Sequence, residues 1–113
     1  MKHSMKLNPI AFDMIQAGTQ TFETRVYDAK RQLVNLNDQI EFSKLPDLTE
    51  KLTVKVVGLS RANTFTELFK FLNPVLGGWQ ETDGVDKVLQ NLRRFYTEEE
   101  EKRYGVLAIH LMK

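Results

Sequence analysis

Hydrophobic residues along this chain change their spacing several times, and each change marks an element boundary. In NPIAFDMIQAG, Phe12 and Ile15 lie at helical spacing between two punctuating residues. Asn8 suits an N-cap, and Pro9 suits the first helical position because its missing N–H has no partner to lose. Gly18 can end the helix in the left-handed conformation, so the pattern predicts a helix over 9–17. The period then falls to two. In TQTFETRVYD, Phe22, Thr24 and Val26 fall on one face, and Thr21, Glu23, Arg25 and Tyr27 on the other.

Further along, Asn35–Asp38 predicts a turn leading into a short strand over 39–43, and KLPDLTE reads as a loop. KLTVKVVGLS predicts a strand over 51–60 with Leu52, Val54 and Val56 on one face. Helical spacing returns in TFTELFKFL, where Thr64 and Glu67 form a T-x-x-E capping box ahead of a Phe65, Leu68, Phe69, Leu72 stripe. Pro74 and Gly77–Gly78 interrupt regular structure, and DKVLQNLRRFY then predicts another helix. Thr97 can cap a short helical turn at Glu98–Glu101, and GVLAIHLM predicts a last strand over 105–112. Strands do not alternate strictly with helices, so the order predicts an α+β fold with a curled, mostly antiparallel sheet.

Composition narrows the field. At 113 residues, with 42% hydrophobic and 27% charged residues, the chain reads as one globular domain, 1–113. The absence of cysteine removes disulfides and thiolate metal sites. MKHSMKLNPIAF holds no apolar run of signal-peptide length, and no window is apolar enough to span a membrane. The expected location is cytoplasmic, with no membrane partner. A net charge of +1 gives little overall attraction for polyanions, so any such site must come from local clustering.

Four groups of residues are candidates for chemistry. Glu23, Arg25 and Tyr27 share a strand face, which fits either a surface salt-bridge ladder or a polar cleft where Arg25 grips an anionic or planar group. Arg61 follows the strongest predicted strand, either as a site residue or as a solvated loop arginine. NLRRFY places Arg93 and Arg94 beside Phe95 and Tyr96. That fits an RNA surface, or a core phenylalanine with arginines at a helix C-terminus. Glu98–Glu101 reads as a solvated first turn, since consecutive helical carboxylates point about 100° apart and do not converge on a cation. His3 and His110 are too isolated for a zinc site, with His110 half-buried in the final strand. No phosphate-binding glycine motif or nucleophile elbow is present.

Taken in order, NPIAFDMIQAGTQTFETRVYD, LNDQIEF, KLTVKVVGLSRANTFTELF and YTEEEEKRYGVLAIHL resemble small bacterial ASCH-domain proteins of the PUA-like superfamily, over essentially the whole chain. The resemblance implies an open β-barrel flanked by helices. The family signature G-x-K-x-x-E-x-R is matched by Gly18, Glu23 and Arg25, with Gln20 at the lysine position. It also implies that this stretch lines a cleft for RNA or a nucleotide, bounded by Gln20, Glu23, Arg25 and Tyr27, with Arg61 and Glu67 on the opposite wall.

Two enzymatic branches of the family bear on the reading. One removes the acetyl group of N4-acetylcytidine with a signature lysine, a signature threonine and a later glutamate. Those positions correspond here to Gln20, Glu23 and, by a loose alignment, Glu67. A neutral amide cannot carry the proton that a tuned lysine carries, and a carboxylate is a poor substitute for a hydroxyl nucleophile. Both departures argue against that activity. The other branch is a metal-dependent ribonuclease, for which Glu23 and Glu67 would hold a divalent cation; otherwise no cofactor is expected. The leading expectation is RNA or nucleotide binding. A small hydrolase using Glu23 or Glu67 is the alternative, and a protein-interaction module the third.

Overall fold

The computed structural model describes residues 1–113. Five strands form one sheet: β1 (Lys2–Leu7), β2 (Phe22–Val26), β3 (Gln39–Lys44), β4 (Lys51–Ala62) and β5 (Val106–Met112). Their order is β1-β3-β4-β5-β2, with β1 parallel to β3 and every other pair antiparallel. Four helices complete the fold: α1 (Pro9–Ala17), α2 (Phe65–Leu68), α3 (Val85–Leu92) and α4 (Glu98–Tyr104). Arg31–Leu33 and Pro74–Gly77 form short 3₁₀ turns. None of the helices is long and apolar enough to cross a membrane.

The predicted α+β class and curled sheet are what the structure contains. The sheet curls until its two edge strands approach, giving an open half-barrel. Arg25 Nη2, on β2, donates to the Lys6 carbonyl of β1 at 3.1 Å, and Lys30 Nζ donates to the Ser4 carbonyl at 2.9 Å. Side-chain donors thus partly replace the backbone ladder that would close the barrel.

β1 was not among the predicted strands. Its burial alternates, with His3, Met5 and Leu7 inside and Lys2, Ser4 and Lys6 outside. The pattern is hard to see because one inward position is a histidine. His3 can be buried because its Nε2 meets Asp38 Oδ2 at 2.8 Å.

Local signals explain most of the boundaries. Asn8 Oδ1 accepts the Ala11 N–H at 2.8 Å, and Gly18 closes α1 at φ 86°. Thr97 and Glu100 cap α4 reciprocally. At α2, Thr64 Oγ1 accepts the Glu67 N–H at 3.1 Å, but the Glu67 carboxylate turns to the Asn63 N–H at 3.3 Å. The box is therefore only half made, and α2 stops after one turn. β4 runs past the predicted end at Ser60, with a bulge between Val56 and Gly58. A Cβ at Gly58 would lie 3.2 Å from the His110 side chain, a tight contact to which the imidazole would have to yield.

Two cores result. Phe12 and Ile15 of α1 pack with Met5, Ile40, Phe42 and Val54 on one side of the sheet. Phe65, Leu68, Val88 and Leu92 pack with Phe22 and Val26 on the other. β5 serves both, with Leu107 and Ile109 in the first core and Val106 and Ala108 in the second. A strand buried on both faces reads as a continuous apolar run, as VLAI does.

Candidate ligand cleft at the first helix–strand junction

Ending α1 at Gly18 aims the following residues across the mouth of the half-barrel. The result is a cleft of about 570 Å³ whose lining includes Gln20, Glu23 and Arg25. Gln20 is only 3% exposed. Its Nε2 donates to the Phe22 carbonyl at 3.1 Å, which leaves Oε1 directed at Gly78. A Cβ at Gly78 would lie 2.5 Å from that oxygen, so the Gln20 amide would have to shift to admit one. Gly78 also has φ 94°, which excludes most side chains on backbone grounds.

Glu23 and Arg25 form the polar floor. Glu23 Oε1 accepts the Thr24 N–H at 3.1 Å, and Oε2 lies 3.8 Å from Arg25 Nη2. Each side chain is 15% exposed, so this is not a solvent-facing ladder. Burial raises the pKa of Glu23 above the ordinary carboxylate value; the Arg25 charge and the Thr24 hydrogen bond oppose the shift without cancelling it. A carboxyl with such a pKa inside a cleft can take up and release a proton nearer neutrality.

The facing wall comes from the chain between α2 and α4. Gly77, Gly78 and Trp79 contribute one part, and Phe95 and Tyr96 another. Phe95 is 69% exposed, which excludes the core reading of this residue. Tyr96 packs against Phe65 with ring centroids 5.7 Å apart, and burial raises its phenol pKa. Lys6 and Arg94 add positive charge to the lining. Asp83 also lines the cleft, but it is paired with Lys87 at 3.2 Å and accepts the Gln80 N–H at 3.2 Å.

Three predicted site residues stand apart. β2 ends at Val26, and the Tyr27 N–H donates to the Gly105 carbonyl at 2.9 Å. That bond continues the β2–β5 register, so Tyr27 keeps the face of Glu23 and Arg25, but it packs against the first core and does not line the cleft. Arg61 lies over the Tyr27 ring at 3.9 Å and lines a separate groove. Glu67 is exposed and spent on capping. The wall expected from Arg61 and Glu67 is thus supplied by the Gly77–Trp79 and Arg94–Tyr96 segments instead. Glu23 and Glu67 do not share a cavity, and no group of three or more His, Asp or Glu side chains is placed to hold a metal ion.

One other expectation changes. Glu101 is 3% exposed, not solvated. Its Oε1 accepts the Phe65 N–H at 2.7 Å and its Oε2 faces Arg93 Nη2 at 2.5 Å, tying α4 to α2 and to the end of α3. His110 is half-buried, as expected, with Nε2 2.8 Å from Ser60 Oγ, and desolvation lowers its pKa. Trp79 was not anticipated as a wall residue. Its only sequence signal is its place after a glycine pair in an irregular stretch.

A curled mixed sheet flanked by helices, with a cleft where the first helix meets an edge strand, defines a PUA-like domain. The chain belongs to the ASCH domain family, whose sequence profile matches residues 5–113. In structure it is similar to hypothetical protein PH0355, at TM-score 0.86 and 32% identity over 98% of this chain and 97% of that one. It is also similar to protein PF0455 from Pyrococcus furiosus, at TM-score 0.74 and 29% identity over 98% and 96%. ASCH from Zymomonas mobilis shares the fold at TM-score 0.67 and 14% identity, over 97% of this chain and 66% of that one. None of the curated proteins matches this chain.

Proposed function

We propose that this ASCH domain binds RNA or a nucleotide in the cleft, in a cytoplasmic setting, with a base against Phe95. The observation that carries the reading is a 69% exposed phenylalanine lining the same cleft as a half-buried carboxylate–guanidinium pair. Aromatic faces stack on bases, and a carboxylate accepts hydrogen bonds from a base amino group. Lys6 and Arg94 supply charge for an adjoining phosphate. Arg25 already donates to the Lys6 carbonyl, so it orients Glu23 and holds the cleft mouth as well as offering its remaining donors.

The test is fluorescence titration of wild type and Phe95→Ala with nucleoside monophosphates and a short single-stranded RNA. Stacking on an aromatic contributes about 1–3 kcal/mol per base, so affinity should fall roughly 5- to 150-fold. Thermal stability should stay within about 0.5 kcal/mol, because an exposed side chain is removed. Equal affinity in the variant would overturn the assignment of Phe95 as the stacking residue.

One observation favours a second reading, hydrolysis of a modified nucleoside: the raised pKa of Glu23 inside the cleft. Glu23 would then be the general base, acting without Glu67, and N4-acetylcytidine is the first substrate to try. Product beyond one equivalent of protein, lost in Glu23→Gln with binding retained, would support it. Binding without turnover in wild type leaves recognition as the function.

A further inference from the structure

A second groove, of about 590 Å³, shares the connection between α3 and α4 with the cleft. Arg94, Phe95 and Tyr96 line the cleft, whereas the preceding Arg93 lines the groove. Arg61, Lys102 and Arg103 also line it, with Asn63, Thr64 and Thr66 adding short polar groups.

The charge in this groove is unevenly compensated. Both of its carboxylates lie beside Arg93, Glu101 Oε2 at 2.5 Å from Nη2 and Glu98 Oε1 at 3.8 Å from Nε. Arg61, Lys102 and Arg103 are exposed and form no ion pair or side-chain hydrogen bond within the chain. Both free arginines are nevertheless placed by aromatic contacts. Arg61 lies over Tyr27 at 3.9 Å, and Arg103 lies over Tyr104 at 5.2 Å. A guanidinium held against a ring keeps its N–H edge available for bidentate contact with a phosphate.

We propose that this groove binds the phosphodiester backbone of a single-stranded RNA whose base occupies the cleft. The inference rests on the cleft reading above and adds a strand path to it. The α3–α4 connection contributes to both cavities, Phe95 to the cleft and Arg93 to the groove. With one phosphate of a base stacked at Phe95 met by Lys6 and Arg94, the strand on its other side would run toward Arg61, Lys102 and Arg103. A mononucleotide would use the cleft only. A longer strand would gain affinity from the groove, through contacts that salt weakens.

The experiment compares wild type with two groove variants, Arg61→Gln/Arg103→Gln and Lys102→Gln/Arg103→Gln, and with Phe95→Ala. The second groove variant leaves the Arg61–Tyr27 contact intact, which controls for local disturbance, and far-UV circular dichroism checks folding. Each protein is titrated with a nucleoside monophosphate and with a ten-nucleotide single-stranded RNA across a salt series. Each single-strand phosphate contact contributes about 0.7 to the log–log salt slope, so each groove variant should bind RNA with a slope shallower by about 1.4. Affinity for the RNA should fall about tenfold at 0.1 M salt, with mononucleotide binding unchanged.

Groove variants with wild-type RNA affinity and slope would overturn the groove proposal and leave the cleft reading standing. RNA binding that depends on the groove but ignores Phe95→Ala would uphold the groove and overturn the stacking of a base at Phe95. Absence of both mononucleotide and RNA binding in wild type would overturn both. Polyglutamate displacing the RNA at equal phosphate and carboxylate concentrations would replace the RNA backbone with an acidic protein segment.

Discussion

Replacing Arg25 with methionine should reveal how far the cleft floor depends on one guanidinium. The substitution keeps an unbranched stem, so the main losses are two polar contacts. One is the hydrogen bond from Nη2 to the Lys6 carbonyl, which joins the sheet edges at 3.1 Å. A hydrogen bond from a charged donor contributes about 1.5–3 kcal/mol net, so this part costs about 2 kcal/mol at any pH. The other is the 3.8 Å approach to Glu23. At an effective dielectric constant near 20 the direct attraction is about 4 kcal/mol, and desolvation offsets most of it, leaving about 1–2 kcal/mol.

That second contribution depends on pH, and its sign follows from the pKa. Burial raises the folded-state pKa of Glu23 above the ordinary carboxyl value of 4.5. A raised carboxyl pKa means that folding loses stability as pH climbs from the unfolded value through the folded one. Without Arg25 the folded pKa rises further, so the loss extends to higher pH. Because the ion-pair contribution grows as pH rises through the raised pKa of Glu23, Arg25→Met should cost less at pH 5, nearer ~2 kcal/mol, than at pH 8, where it should reach about 3–4 kcal/mol. In a Glu23→Gln background it should cost about 2 kcal/mol at both. Urea denaturation of the four proteins at the two pH values completes the double-mutant cycle. A coupling below about 0.5 kcal/mol that is the same at pH 5 and pH 8 would refute the argument. It would mean that Glu23 is solvated enough to need no counter-ion.

Three further outcomes follow from the structure. Glu101→Ala strands the Phe65 N–H and removes the partner of Arg93, and should cost about 3–4 kcal/mol by urea denaturation; Glu101→Gln, which keeps an acceptor for that N–H, should cost about half as much. Asp38 has its pKa lowered to about 2, first by the His3 hydrogen bond and then by the Asn35 N–H. Its contribution is complete above the unfolded value of 3.8 and disappears as pH falls through about 2, so thermal melts of wild type should lose stability over that window more steeply than those of Asp38→Asn. Gly78→Ala sets a Cβ 2.5 Å from Gln20 Oε1 at a φ of 94°. It should cost about 1–3 kcal/mol by denaturation and weaken nucleotide binding by displacing Gln20.

Much of the fold was legible because local chemistry and tertiary packing agree. Asn8, Pro9 and Gly18 bound α1 as expected, and Thr97 caps α4. Agreement fails where a contact from a distant element decides the outcome. His3 reads as a polar residue in a tail until Asp38, 35 positions away, satisfies it and completes β1. Glu101 reads as one of four solvated carboxylates until the orphan N–H of Phe65 draws it inside. In both cases a buried polar group depends on a partner that periodicity cannot reveal.

The cleft divides along the same line. Its floor lies on a regular strand, where a period of two places Glu23 and Arg25 together, and that part was readable. Its wall is built from Gly78, Trp79 and Phe95, in chain without a period, where sequence spacing carries no orientation. Tyr27 keeps the face that the alternation gives it, but one residue beyond the end of β2 it packs against the first core and does not line the cleft. The correction reaches the proposed function as well. With Arg25 fixed to Lys6, losing this arginine should disturb stability and recognition together, and so cannot separate them. Phe95 can, because it lines the same cleft and is 69% exposed, with little of the fold resting on it.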